Sequence, residues 1–278
     1  MPGRAELLVR NRSFQICLFI IALITMIGVI GPFVILNPNE YVGLKYEPPS
    51  LNHILGTDVY GRDVFSGLIH GIRNSLYIGL TAGLLAVTIA ILLGGWSGFV
   101  GGIPGEIINT VANIFVVLPT VPLLLVLSVA FRQRSQFLVA GLIALLGWAG
   151  ATRSIRSQVL SLKERDYVNL ARLSGKSRLL ILFTEIFPNM LSYIFISFCA
   201  ALGGAILAEA GISLLGLGPT TVITLGMILH YAVATQSYAI GVWWWFIPPG
   251  LVLVIYTGTL AVMTSTIDSV LNPKMRRI

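Results

Sequence analysis

ERDYVNLARLSGKSRLLILFTEIFP, residues Glu164 to Pro188, is a long and strongly charged segment in a chain that is otherwise apolar. Lys163, Arg165, Arg172, Lys176 and Arg178 stand there against Glu164, Asp166 and Glu185, with Val168, Ala171, Leu179, Leu182 and Phe183 interleaved at roughly helical spacing. Gly175 sits where one short helix can end and another begin, and Pro188 suits the first turn of the next apolar helix. The spacing predicts two short amphipathic helices joined at Gly175 and held at a membrane surface as a docking element. A plain basic loop retained by the positive-inside bias is the competing reading.

The 278 residues are 56% hydrophobic and 10% charged, and the mean hydropathy is +0.88, a composition that marks an integral membrane protein. The net charge of +7 lies in residues flanking apolar runs and not in a stripe with aromatics, so it speaks for orientation in a bilayer over nucleic-acid binding. Cys17 and Cys199 lie in separate apolar runs without metal or redox spacing. The first apolar run is longer than a signal-peptide core and has no Ala-x-Ala-like site, which predicts a retained span.

Intervals free of charge, about 20 residues where a span crosses the hydrocarbon, predict six spans. These fall near Phe14–Leu36, Leu76–Val100, Ile108–Ala130, Phe137–Ala151, Met190–Leu215 and Trp243–Ile267. The resulting division is a tail at 1–13, a transmembrane domain at 14–267 and a tail at 268–278, with outer loops at 37–74 and 216–242 and the charged segment at 153–188. Thirteen of the 18 Lys and Arg residues fall on the side of the termini, which places both termini and the charged segment in the cytoplasm. Trp243, Trp244 and Trp245 fall at the opposite interface. Gly79 and Gly83, then Gly94, Gly98 and Gly102, repeat at four-residue spacing, a pattern of close helix approach. Pro119 and Pro122, and the pair Pro248 and Pro249, predict kinked or broken helices.

Glu209, in AILAEAGISLLGLG, is the acid nearest a membrane interior; it either lines a water-filled path or serves packing, with Gly216 and Gly218 beside it. Gly175-Lys176-Ser177 has the form of a phosphate-loop ending, but Leu170 occupies the place of the required first glycine. His53, His70 and His230 are scattered, and no nucleophile, base and orienting group assemble. The chain is therefore expected to bind no metal or cofactor and to catalyse nothing itself. A self-sufficient channel or secondary transporter, the rival class, needs ionisable groups along several spans, and Glu209 stands alone.

With Ala171 and Gly175 four residues apart and Pro188 following, the segment resembles the coupling loop of the membrane subunits of binding-protein-dependent ABC importers. Asn169 and Leu170 depart from the Glu-Ala opening of that pattern. HILGTDVYGRDVFSGLIHGIRNSL, from His53 to Leu76, and AILAEAGISLLGLG, from Ala205 to Gly218, look like the dipeptide, oligopeptide and nickel branch, in the form of its shorter, C-type permease. The resemblance implies an all-α, six-span type I ABC importer permease fold in a prokaryotic cell membrane. It also implies a second permease subunit, two cytoplasmic ATPase subunits that carry ATP and Mg, and an external substrate-binding protein. Asp166, Tyr167, Asn169, Ala171, Arg172, Gly175, Lys176 and Pro188 would couple to an ATPase. Gly56, Thr57, Asp58, Gly61, Arg62 and Asp63 would meet the binding protein or the partner permease. A peptide is the first substrate reading; a sugar oligomer, suggested by WWWFIPPG, is second and nickel third.

Overall fold

The computed structural model describes residues 8–35 and 37–271. Arg4, Lys274, Arg276 and Arg277, which enter the orientation argument, lie outside the described residues, as do most of the tails expected at 1–13 and 268–278. Helix α1 (Arg12–Ile30) begins at Asn11, whose side-chain oxygen accepts from the Phe14 amide at 3.1 Å, and continues through a tight turn at Gly31–Phe33.

Helix α2 (Val64–Val100) has 37 residues, about 55 Å at 1.5 Å per residue, against about 30 Å of hydrocarbon. The outer loop expected to reach residue 74 therefore ends at Asp63. The helix starts early because Asp63 caps it, accepting from the Ser66 amide at 2.7 Å. Val64, Leu68, Ile69 and Ile72 also carry a buried apolar face through the polar stretch.

The third span is broken. Helix α3 (Gly102–Val117) and helix α4 (Thr120–Val129) meet at an angle of 83°, with Leu118 extended before Pro119, as a residue preceding proline prefers. Helix α5 (Gln136–Leu162) is longer than the fourth span expected at Phe137–Ala151. Its extra turns bury Ile155 and Val159, while Arg153 stays exposed and Lys163 half-buried. Helix α6 (Asp166–Leu173) follows, and then helix α7 (Arg178–Ile181).

Helix α7 is not a separate second amphipathic helix. It runs on through a wide turn at Leu182–Ile186 and a tight turn at Pro188–Met190 into helix α8 (Leu191–Leu214), forming one helical run, Arg178–Leu214. Pro188 has no N–H to give to the preceding turn. The Phe187 amide instead donates five residues back to the Leu182 carbonyl at 2.9 Å, so the helix widens there and does not stop.

The outer loop expected at 216–242 contains helix α9 (Leu225–Ala234), capped by Thr224, whose hydroxyl accepts from the Met227 amide at 3.2 Å. Helix α10 (Trp243–Leu271) continues through Pro248 and Pro249, so the sixth span is not broken there. The missing N–H groups remove two bonds of its second turn, those to the Trp244 and Trp245 carbonyls. Five helical runs are long and apolar enough to cross a bilayer, and the bent α3–α4 pair, taken as one span, makes a sixth.

The glycine pattern places α2 at the centre of the bundle. A Cβ at Gly79 would lie 2.3 Å from Ile206, and one at Gly83 3.1 Å from the Leu202 backbone, both on α8. Gly94 and Gly98 face α5 in the same way, 2.6 Å from the Thr152 carbonyl and 2.9 Å from that of Arg156. Gly102 does not share this role: a Cβ there would meet open space. Gly94 meets rigid backbone, so Gly94→Val is expected to force α2 and α5 apart and to cost about 1–3 kcal/mol, as overpacking does. Thermal unfolding of the detergent-solubilised protein checks this; an unchanged midpoint would mean that the two helices have room to separate.

Candidate functional sites

At one end of the bundle, α6 buries Val168 and Ala171 in a cluster with Phe99, Ile155, Val159, Ile181, Leu182, Ile186 and Phe187. Its opposite face presents Leu170, 64% exposed, and Leu173, 84% exposed. Leu179 and Phe183, interleaved with buried Leu182 in the sequence, point outward as well. Asp166 occupies the first turn of α6 and Arg172 the last, each complementing the helix dipole.

The end of α6 is a Schellman cap. The Gly175 amide donates to the Arg172 carbonyl at 3.0 Å and the Lys176 amide to that of Ala171 at 3.3 Å, while Gly175 adopts φ +76°. A Cβ there would meet nothing within 4 Å, so the glycine is required by its backbone angle and not by crowding. Lys176 Nζ lies 2.6 Å from Glu185 Oε1, tying the cap to the start of the fifth span. Arg172 donates to Asn169 Oδ1 at 3.2 Å and its guanidinium lies over the Phe99 ring. Tyr167 is half-buried, and Pro188 is exposed at the widened turn.

At the far end of the bundle, opposite α6, the GTDVYGRD stretch folds in on itself. The Thr57 hydroxyl donates to the Leu44 carbonyl at 2.6 Å and accepts from the Glu47 amide at 2.8 Å. Asp58 Oδ1 accepts from the amides of Tyr60, at 2.7 Å, and Arg62, at 3.0 Å. A Cβ on Gly56 or Gly61 would fall within 2.4 Å of a carbonyl oxygen across the loop. Asp63 Oδ2 also meets His53 Nδ1 at 3.2 Å, and Arg62 stacks on Tyr41 and Tyr60.

Gly56, Thr57, Asp58 and Gly61 are buried, so they shape this loop, and any contact it makes with a partner falls to its exposed face. Tyr41, Leu44, Leu51 and Tyr60 supply that face. Trp244 and Trp245 are buried beneath the loop, with Trp244 Nε1 donating to the Thr57 carbonyl at 3.3 Å; Trp243 is half exposed.

Burial pushes the Asp58 carboxyl above the usual range, opposed by the amides of Arg62 and Tyr60, the Arg62 charge and the Gly61 amide. A raised folded-state value favours the protonated group. Its contribution is therefore full at pH below the unfolded value and is lost as pH rises through the folded one. Asp58→Asn keeps the acceptor and removes the charge, so at neutral pH it is expected to leave the unfolding midpoint equal or higher; a fall would show that the loop needs the carboxylate.

Glu209 is fully buried. Its carboxyl accepts from Ser213 Oγ at 2.5 Å, Thr224 Oγ1 at 2.7 Å and Ser75 Oγ at 3.1 Å, and Ser75 Oγ in turn accepts from the Leu225 amide at 3.1 Å. One side chain thus ties α2, α8 and α9 together. Gly218 and Gly226 make room for it: a Cβ at Gly218 would lie 1.9 Å from Ser213 Oγ, and one at Gly226 2.7 Å from Ala210. Gly216 closes α8 with a second Schellman cap, the Leu217 amide donating to the Ile212 carbonyl at 2.9 Å. Arg134 Nε and Nη2 donate to the Gly218 and Gly216 carbonyls at 2.8 and 3.2 Å.

Sequence reasoning missed Ser75, Thr224 and Arg134. Ser75 stands 134 residues from Glu209, Arg134 stands 84 from Gly218, and Thr224 reaches Glu209 from across a loop. No spacing pattern joins them to the acid and its glycines.

A bundle of apolar helices with one short, capped helix held at one end and a tightly folded loop at the other defines a multi-pass membrane protein. Residues 50–277 match the family of binding-protein-dependent transport system inner membrane components, and the chain belongs to that family. It is 30% identical over 273 residues to the dipeptide transport system permease protein DppC of Bacillus subtilis, across 96% of this chain and 84% of that protein. It is 30% identical over 270 residues to the oligopeptide transport system permease protein OppC of the same organism, across 96% and 87%. A putative peptide transport system permease protein of Brucella abortus is 29% identical over 275 residues, across 98% and 91%. The chain is thus a permease subunit of a binding-protein-dependent transporter, embedded in the membrane by several spans.

Proposed function

We propose that the chain forms half of the translocation path of an ATP-driven importer of dipeptides or oligopeptides, the substrates named for its relatives. The second half is another permease subunit; two cytoplasmic ATPase subunits carry the nucleotide and Mg, and an external binding protein delivers the substrate. The observation that carries the coupling role is α6: Val168 and Ala171 anchor it while Leu170 and Leu173 face outward on the other side. Exposed leucines on a helix bordered by Arg172 and Asp166 suit a partner's apolar groove with a charged rim. The excess of basic residues on this side supports a cytoplasmic location for the segment and both termini, and an external one for the far end. Trp244 and Trp245 are buried, so they offer no stacking platform for a sugar.

Mass spectrometry of the chains that co-purify with the tagged protein, followed by uptake by proteoliposomes of that complex, tests the reading. A second permease, ATPase chains and ATP-dependent accumulation of labelled peptides are expected. Recovery of this chain alone as a homo-oligomer, or accumulation of oligosaccharide in place of peptide, would overturn it.

A further inference from the structure

A cavity of about 320 Å³ opens in the helix wall between the far halves of α1 and α2, with Leu202 of α8 and Tyr256 of α10 behind it. Its sides are apolar, including Val29, Leu76 and Leu80. Thr25 and Tyr256 close the inner end with their hydroxyls 3.5 Å apart. Arg73 and Phe33 stand at the mouth, the guanidinium 5.6 Å from the ring centroid. Arg73 lies about one turn before Leu76, where the apolar part of α2 begins, and Phe33 ends the first span. The cavity therefore extends from the interface to Leu80, about 10 Å along α2 at 1.5 Å per residue.

Arg73 is a basic residue on the side that the positive-inside bias depletes. On that side Arg134 donates to glycine carbonyls and Arg62 lies over two tyrosine rings, whereas Arg73 meets the single ring of Phe33. Among the described residues no carboxylate pairs with Arg73, and its side chain is exposed at the cavity mouth. A guanidinium at headgroup level above an apolar slot at acyl-chain depth has the amphipathic pattern of a phospholipid.

We infer that this cavity binds an anionic phospholipid of the leaflet at the far end of the bundle, its phosphate on Arg73 and an acyl chain between Val29, Leu76 and Leu80. A zwitterionic lipid fits the slot but gains less from the cation. This inference needs only that the chain spans a bilayer and is independent of the transported substrate.

Native mass spectrometry of the assembled complex, extracted from bilayers of equal phosphatidylglycerol and phosphatidylethanolamine, reads the site. Wild type is expected to retain phosphatidylglycerol in preference, and Arg73→Gln to lower that retention about fivefold, the order expected for one cation at a membrane surface. Arg132→Gln, at an exposed position on the same side, should leave it unchanged. Val29→Trp fills the slot from an exposed position and should lower retention with Arg73 intact. Equal retention of the two lipids by wild type, undiminished retention in Arg73→Gln and Val29→Trp, or stoichiometric displacement of the lipid by a peptide would each overturn the assignment.

Discussion

Glu209→Ala is expected to lower the unfolding midpoint of the solubilised protein more than other single substitutions in the far half of the bundle. Three buried hydroxyls, on Ser75, Ser213 and Thr224, lose their acceptor at once, and an unsatisfied buried group costs about 1–3 kcal/mol. Ser75 and Ser213 can turn toward carbonyls of their own helices. The expected total is therefore about 3–5 kcal/mol, below the full sum of those costs. Glu209→Gln retains a carbonyl oxygen for Ser213 and Thr224, so its loss should be clearly smaller. This comparison separates the two roles open to a carboxyl near a membrane interior: if Gln is as harmful as Ala to transport while neither moves the midpoint, Glu209 acts in the path and not in packing.

The second large effect is expected at α6. Replacing Leu170 and Leu173 together with Glu should abolish substrate-stimulated ATP hydrolysis by the complex while the protein still inserts and folds. Both side chains are exposed, and the anchoring residues Val168 and Ala171 are untouched. Burying each leucine against a partner is worth about 1.5–3 kcal/mol, so losing both would weaken docking by about two to four orders of magnitude. Gly175→Val acts differently, since no atom crowds the site. Its cost is the positive φ, which opposes any β-branched residue. Coupling should fall less than in the double mutant, and Gly175→Asn should be nearly neutral. Full coupling in the double Glu variant would remove α6 as the docking surface.

The spans were legible because charge is excluded from hydrocarbon, and their centres follow from the gaps between charged residues. Their ends were not. Helix α2 starts before Arg73 and Asn74 because Asp63 caps it and Leu68 and Ile72 keep one face buried, a pattern that local polarity hides. Helix α9 has no charge to mark it, although Thr224 before LGMILHYAVA is a cap signal. At the charged segment, the place of Gly175 follows from sequence. Which leucines face outward does not, since both faces of α6 carry apolar residues, Leu170 and Leu173 on one and Val168 and Ala171 on the other, and only tertiary packing chooses between them. In the loop before α2 the residue types are those of tight turns, and turn chemistry accounts for them. A resemblance to a motif names residues without telling whether they form a surface or support one.

The widened turn before Pro188 makes one further difference to the fifth span. A run of 37 residues from Arg178 to Leu214 is a rod of about 55 Å, and its lost amide gives it one joint, close to the end that carries α6. In such a rod the proline sets the azimuth of bending as well as its height, because each residue turns the helix by about 100°. Moving the proline one residue along would keep a compliant helix and redirect its swing by roughly a quarter turn, toward different neighbours in the bundle. The compass bearing of any tilt in this span is thus written in the register of a single residue.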